Sequence, residues 1–352
     1  MKHRSGEISL SVIIPVYNGG EKFRRCLASL KENPRHAAEI IVVADGDTDG
    51  SYEVAKKFGA RVFRLPSPRG PGRARNLGAS RAQGDILFFI DADVVVPPQA
   101  IEMVASAFER EPQIDALFGS YDDEPSEPNV LSQYRNLLHH YIHQHGREDA
   151  STFWAGCGAI RRDIFMSIGG FDESYTRPSI EDIELGYRLK KAGSNIKLCK
   201  SLQVKHLKRW NFGSMLRADF FQRALPWTQL ILSERNLVND LNTSTSGRAS
   251  VALTGVLIVL LLISLWQPLA LGGVGIVAGI LMVLNAPLYR FFMRKRGYLF
   301  AFQAVLWHWL YFLYSGIAFA VGMVRYWASQ KKIRIVSSSL SNRTKTIESE
   351  QR

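Results

Sequence analysis

Two aspartates spaced one residue apart, Asp91 and Asp93, follow directly on the run Asp85-Ile-Leu-Phe-Phe-Ile90. That run is apolar and of strand length, so the carboxylates fall at a strand's carboxyl end, where open α/β sheets bind their ligands. A carboxylate pair placed there can hold a hard divalent cation together with substrate phosphate oxygens. The chemistry this suggests is a nucleoside diphosphate held through Mg2+ or Mn2+. A solvated turn is the other reading that the triplet alone allows. A second acidic pair, Glu181-Asp182, opens a helical stretch carrying Leu185 and Leu189. Adjacent carboxylates raise one another's pKa, which suits a general base near neutral pH, and Asp182 is the candidate; acidic residues in a first turn are also what a helix dipole favours. Further along, His206-Leu-Lys208-Arg209-Trp210 sets an imidazole able to ligate a metal beside cations able to face a diphosphate.

The elements that must position these groups alternate. Leu10-Ser-Val-Ile-Ile-Pro15-Val-Tyr17 reads as a strand, Glu21 to Glu32 as an amphipathic helix, Glu39 to Ala44 as a second strand and Ala60 to Leu65 as a third, with a helix over Ser51 to Phe58 between. The loop Arg69-Gly-Pro-Gly-Arg-Ala-Arg75 then opens the helix before the Asp85 to Ile90 strand. Strand and helix in alternation imply an α/β fold with a mostly parallel sheet.

In this order, Ser-Val-Ile-Ile-Pro-Val-Tyr-Asn, Val-Val-Ala-Asp-Gly-Asp-Thr-Asp-Gly, Gly-Arg-Ala-Arg-Asn-Leu-Gly, Ile-Asp-Ala-Asp, Gly-Gly-Phe-Asp-Glu and Glu-Asp-Ile-Glu-Leu resemble the catalytic domain of the family-2 glycosyltransferases, over about Leu10 to Trp210. The resemblance implies a GT-A fold, a nucleotide-sugar donor (UDP- or GDP-sugar) and inversion at the anomeric carbon. It places Pro15 and Tyr17 at the base, Asp45 on a ring N–H of the base, Arg75 near base or phosphates, Asp91 and Asp93 at ribose and metal, and Asp182 as the base that deprotonates the acceptor, with Glu181 beside it. Where the family usually has Asp-Asp-Gly-Ser, this chain has Ala44-Asp45-Gly46-Asp47, so the base-reading role falls to Asp45. The family's donor-sugar and acceptor pocket includes the region of Trp154, whose ring can stack on a pyranose or pack in the core. His206 to Trp210 has the spacing of the Gln-x-x-Arg-Trp element of processive synthases with histidine for glutamine, which argues against a cellulose-like synthase; His206, Lys208, Arg209 and Trp210 are assigned to the metal, diphosphate and acceptor side. His139, His140, His143 and His145 match no compact metal spacing, and Tyr121 to Ala150 reads as a partly helical, acceptor-side insertion.

The second half of the chain is different. Val251 to Trp266, Leu269 to Tyr289 and Leu299 to Val324 carry no charged residue over 16, 21 and 26 residues. As helices they reach roughly 24, 31 and 39 Å, against a hydrocarbon core of about 30 Å, so three membrane segments (250–266, 269–289, 299–324) are expected, the first two joined by a hairpin at Gln267-Pro268. Phe212 to Leu232 mixes aromatic residues with Arg217 and Arg223 and reads as an interfacial helix. The expected organisation is a GT-A domain over 1–211, an interfacial helix and linker over 212–248, membrane helices over 249–327 and a polar, flexible tail over 328–352.

The formal net charge of +12 gathers partly at Arg290, Arg294 to Arg296, Arg325 and Lys331 to Arg334. Basic clusters beside apolar segments favour the anionic cytoplasmic leaflet, and no nucleic-acid recognition motif accompanies them. No signal-peptide pattern precedes the first strand, and Cys26, Cys157 and Cys199 read as reduced packing residues. These features imply a multi-pass protein of the inner (cytoplasmic) membrane or its equivalent with a cytosolic catalytic domain. Its expected acceptor is a membrane lipid, either a polyisoprenyl phosphate, as in relatives resembling dolichyl-phosphate mannose synthases, or a glycolipid, held by Lys205, Lys208, Arg209 and Arg217. A polysaccharide glycosyltransferase and a catalytically silent nucleotide-sugar-binding scaffold are the alternatives.

Overall fold

The structure, a computed structural model, describes residues 8–33, 35–234 and 241–350, with side chains through Ala328 apart from Asn242. Eight strands, β1 (Leu10–Val16), β2 (Glu39–Asp45), β3 (Arg61–Leu65), β4 (Ile86–Ile90), β5 (Val94–Val95), β6 (Ala116–Tyr121), β7 (Cys157–Arg161) and β8 (Ile196–His206), form one sheet in the order β3-β2-β1-β4-β7-β6-β8-β5. β1 to β4 are mutually parallel, as the alternation of elements predicts. Their runs are apolar throughout because both faces are covered. Val12, Ile14, Val42 and Phe88 belong to one core, and Ile13, Ile41, Val43 and Phe89 to the other.

Two antiparallel pairings carry distant residues to the carboxyl ends of these strands. β7 runs against β4 with Cys157 opposite Ile90, so Gly156 O accepts from Asp91 N at 3.1 Å and Trp154 arrives beside the acidic pair. β8 meets β5 with His206 opposite Val94, and Leu207 N donates to Asp93 O at 2.8 Å. Gly70, at φ 95°, enters the helix Pro71–Arg81, and a side chain there would sit 2.6 Å from Tyr175 O. That loop is thus fixed against the segment leading to Glu181.

Beyond β8 the chain is helical. Phe212–Arg217, a π-helical turn Ala218–Ala224 and Leu225–Glu234 succeed one another, followed by Thr245–Ile263, Ala270–Leu284 and a long helix from Ala286 that breaks at Gly297, φ 82°. Thr245–Ile263 and Ala270–Leu284 are joined by the turn at Gln267-Pro268. The expected 269–289 segment is not one helix. Asn285 closes it after 15 residues, its Nδ2 donating to Leu281 O and Ser250 Oγ at 3.0 Å each, and Pro287 stands in the first turn of the next helix. About 22 Å of helix results, short of the hydrocarbon thickness. Over 328–352 the sequence suggests a loose tail, whereas the backbone continues helical to Glu350, with no glycine or proline after Gly322 to stop it. Side chains of the basic group Lys331, Lys332 and Arg334 lie outside the described residues.

The boundary expected at 211 is not a boundary in packing. Tyr134, Leu137 and Trp210 from the sheet domain share one buried cluster with Met215 and with Leu288, Tyr289, Phe292 and Ala304. The third apolar segment also lies alongside the 212–234 helix. Phe212 meets Trp307 at 5.9 Å, Tyr314 Oη donates to Asp219 Oδ2 at 2.6 Å, and Gly322 abuts Thr228. Partners advance together along both helices, so the two run parallel and share an orientation.

Candidate active site

A cavity of about 1510 Å3 opens at the carboxyl ends of β1, β2 and β4 and runs toward the C-terminal helices. That exceeds the usual 300–1,000 Å3 of a small-molecule site. Pro15, Tyr17 and Asp45 line one end; Asp91, Asp93, Glu181 and Asp182 line the middle; Val251, Ala252, Phe312 and Phe319 line the other end. Tyr17 is 57% exposed, an aromatic face free to stack. Asp45 is buried, and its two oxygens accept the backbone N–H groups of Arg69 (2.8 Å) and Gly70 (2.9 Å), so it holds the glycine-arginine loop in addition to facing the cavity.

In the centre stands an ion triad, with Arg75 and Glu181 buried and Asp91 partly exposed. Arg75 Nη2 donates to Asp91 Oδ1 at 2.7 Å and Arg75 Nη1 to Glu181 Oε1 at 3.0 Å, while its guanidinium lies 5.3 Å from the Phe171 ring. Arg75 was expected near base or phosphates; two of its nitrogens are instead committed to carboxylates, because a buried guanidinium requires charge partners at once. Glu181 accepts from Ser179 N through its other oxygen, so both of its oxygens are engaged. Next to it, Asp182 accepts from Ala155 N (3.2 Å) and Ile183 N (2.8 Å). Burial and the Glu181 charge raise its pKa to about 7, against the opposing pull of Arg75. Asp182 is thus poised between its protonated and ionised forms at neutral pH.

Asp93 is the opposite case. Burial raises its pKa, but the charge and hydrogen bond of His206, with Lys208 and Lys22, outweigh it and hold the carboxyl at about 2. His206 Nε2 lies 3.5 Å from Asp93 Oδ2. An ionised carboxylate and an imidazole nitrogen on one side of an open cavity fit a divalent cation that takes its other ligands from diphosphate and water. Asp91, engaged by Arg75, has one oxygen left for this. No cluster of three or more metal-binding side chains occurs among the described residues.

Of the basic element, Lys208 lies 4.2 Å over the Trp210 ring and Arg209 projects to solvent, 4.0 Å from Glu127. Trp210 touches the cavity, but its ring is buried in the cluster around Phe292, and its backbone N–H donates to Ser132 Oγ. It works chiefly as core. Lys205 is taken by Asp122 at 2.7 Å, and Arg217 is exposed and outside the cavity lining, to which Arg177 and Arg223 contribute.

Comparison with known proteins now bears on this geometry. Residues 11–169 match Glycosyl transferase family 2, and residues 135–210 match the N-terminal domain of galactosyltransferase. Glycosyltransferase AglE of Haloferax volcanii is 35% identical over 221 residues, which cover 60% of this chain and 70% of AglE. The chain belongs to glycosyl transferase family 2. Other relatives are matched over less of their length: YibD, an uncharacterised glycosyltransferase of Escherichia coli, is 43% identical over 97 residues (26% of this chain, 28% of YibD), and an uncharacterised glycosyltransferase of Haemophilus influenzae is 28% identical over 194 (51% and 61%). The GT-A fold of the family is shared with the solved mannosyltransferase PcManGT of Pyrobaculum calidifontis, in complex with GDP-Man and Mn2+, at TM-score 0.56 and 16% identity, covering 90% of this chain and 88% of that one.

Family motifs do not reach two features of the site. One is a ring cluster in which Tyr121 stacks on His206 (4.4 Å between centroids) and meets His139 and Trp154. The other is a buried pair in the far wall, where Arg135 Nη2 meets Asp219 Oδ1 at 2.7 Å at the π-helical turn. The spacing of Arg135, Leu138, His139 and Ile142 on one helical face was the available signal.

Proposed function

We propose that this protein is an inverting glycosyltransferase that moves a sugar from a nucleoside-diphosphate donor to a lipid at a membrane surface. The observation that carries this reading is the single cavity linking Asp45, Asp93 and Asp182 to Val251, Ala252 and Phe319. One end suits a nucleotide, the other an apolar chain.

The base docks between Pro15, Tyr17 and Asp45, and the diphosphate lies toward Asp93 and His206. These two residues would hold Mg2+ or Mn2+, which when bound offsets the negative charge that develops on the departing diphosphate. Arg75 holds Asp91 in place. Asp182 takes the proton from the acceptor hydroxyl or phosphate as it attacks the anomeric carbon from the face opposite the leaving group. Arg177 and Lys208, with Arg223 paired to Asp219 at 3.3 Å beside them, give the acceptor end a positive lining that suits a phosphate head, which supports a polyisoprenyl phosphate over a neutral glycolipid.

Membrane association rests on exposure. Only 17% of the apolar window in Thr245–Ile263 and 28% of that in Ala286–Ala328 is buried, whereas a core helix would be mostly buried. Leu265, Trp266, Leu269, Ile276 and Val283 present the 245–284 hairpin to an apolar medium. The third segment shares the orientation of 212–234, which carries Arg217, Gln222 and Arg223, and charged groups are costly at bilayer depth. We therefore place 286–328 in the interface along 212–234 and the hairpin in the bilayer, in place of three full spans, with the sheet domain on the cytosolic side where Lys295 and Arg296 contact Asp123 and Gln133. Incubating the protein in lipid with labelled nucleotide sugars and identifying the lipid that gains label tests the reading. Label released only as free sugar, or none from any donor, would overturn it.

A further inference from the structure

We infer that His139 reads the transferred sugar, its Nε2–H donating to a sugar hydroxyl against a wall formed by Tyr121 and Trp154. The inference rests on the reading of the cavity as a nucleotide-sugar site.

Three histidines of the helix Val130–His145 turn toward β6 or the cavity, and two are anchored. His140 Nδ1 pairs with Tyr121 O at 2.8 Å and His143 Nδ1 with Gly119 O at 3.1 Å. His139 is not anchored in this way. Its Nδ1 is sealed from solvent without a partner, and Nε2 is the nitrogen left to meet the cavity. A sealed N–H is a costlier orphan than a sealed lone pair, so the proton of the neutral ring belongs on Nε2, which makes it a donor facing the ligand. Burial, with the charges of His143 and Arg135, holds the His139 pKa well below the ordinary imidazole value, in keeping with a neutral ring.

Position assigns the ligand. In an in-line displacement the sugar lies between the leaving diphosphate and the base. Tyr121 stacks on His206 at the diphosphate side, and Trp154 precedes Ala155, whose N–H donates to Asp182. The His139 ring lies 4.1 Å from Tyr121 and 4.9 Å from Trp154, and so bridges the two sides. Both faces of Tyr121 are taken, by His139 and His206, so the face for sugar C–H groups is that of Trp154, and a ring face beside one fixed donor is what pyranose recognition requires.

The test is calorimetry on the full-length protein in lipid with Mn2+, comparing UDP with UDP-glucose and GDP with GDP-mannose. For the pair that binds the wild type, His139→Phe should lower the affinity of the nucleotide sugar relative to its nucleoside diphosphate by about tenfold, with the nucleoside diphosphate itself within about twofold. His139→Gln, which keeps an N–H near the same place, should recover most of the loss. An unchanged ratio in His139→Phe, an equal loss for both ligands, or a change confined to acceptor KM would overturn the assignment while leaving the nucleotide-sugar reading intact. If the wild type binds neither pair, that reading falls, and the role of His139 with it.

Discussion

At one end of the cavity the charges are held by loop and helix groups gathered at the carboxyl ends of parallel strands, whereas at the far end they are held across helices that meet only through packing. Asp45 closes on the N–H groups of Arg69 and Gly70, and Arg75 spans Asp91 and Glu181 at the mouths of parallel strands. Arg135, Asp219 and Tyr314 come from three helices far apart in the chain and meet in the opposite wall. Sheet pairing converts short sequence signals directly into position. A helical wall needs complementary surfaces from distant segments, and its buried ion pair is then exposed to any change in either surface.

Several substitutions would break or sharpen this contrast. The largest effect is expected for Asp182→Asn, which should slow transfer by about 10²–10⁴-fold with nucleotide affinity within about twofold, since the base acts on the acceptor. Turnover assays with parallel calorimetry check this, and a loss of nucleotide affinity would move Asp182 to the donor end. At the helical end, Asp219→Ala leaves Arg135 buried without its partner and should cost about 3–5 kcal/mol in denaturant unfolding, while Tyr314→Phe, which removes one hydrogen bond, should cost about 1–2 kcal/mol. Equal, small losses would mean that the far wall is hydrated and loosely held. For the same structural reason, truncation after Glu234 should yield an aggregating domain and not a stable soluble one, because it strips Leu288, Phe292 and Ala304 from the cluster around Tyr134 and Trp210.

The pH profile gives an intermediate effect. With a pKa raised to about 7, Asp182 is protonated and idle as a base below that value, so transfer should fall as pH drops through about 7. Glu181→Gln removes the like charge beside it and should move this acid limb to lower pH; a limb that stays in place would assign it to another group. The smallest effect is expected at the solvated rim. Arg177→Glu should raise the KM for a polyisoprenyl phosphate several-fold, as exposed charges do, and leave a neutral lipid acceptor almost unchanged. An equal response from both acceptors would remove the phosphate from the proposal.

The amino-acid sequence by itself was sufficient for the parallel strands, the glycine-arginine loop, the acidic pair at Asp91 and Asp93, the position of Asp182 and the apolar character of the second half. Each of these is a local signal: a β-branched run, a turn residue, a carboxylate at a strand end, or a stretch without charge. Only the tertiary structure decided that Arg75 is locked between two carboxylates, that Glu181 is engaged by Arg75 while burial beside it raises the Asp182 pKa, that Trp210 is core, and that the third apolar segment lies along the 212–234 helix. His139 belongs with these. Its ring gained a role when β6, the loop at Trp154 and the helix Val130–His145 converged, and such convergence leaves no periodicity in the chain, because it depends on which distant surfaces bury one another.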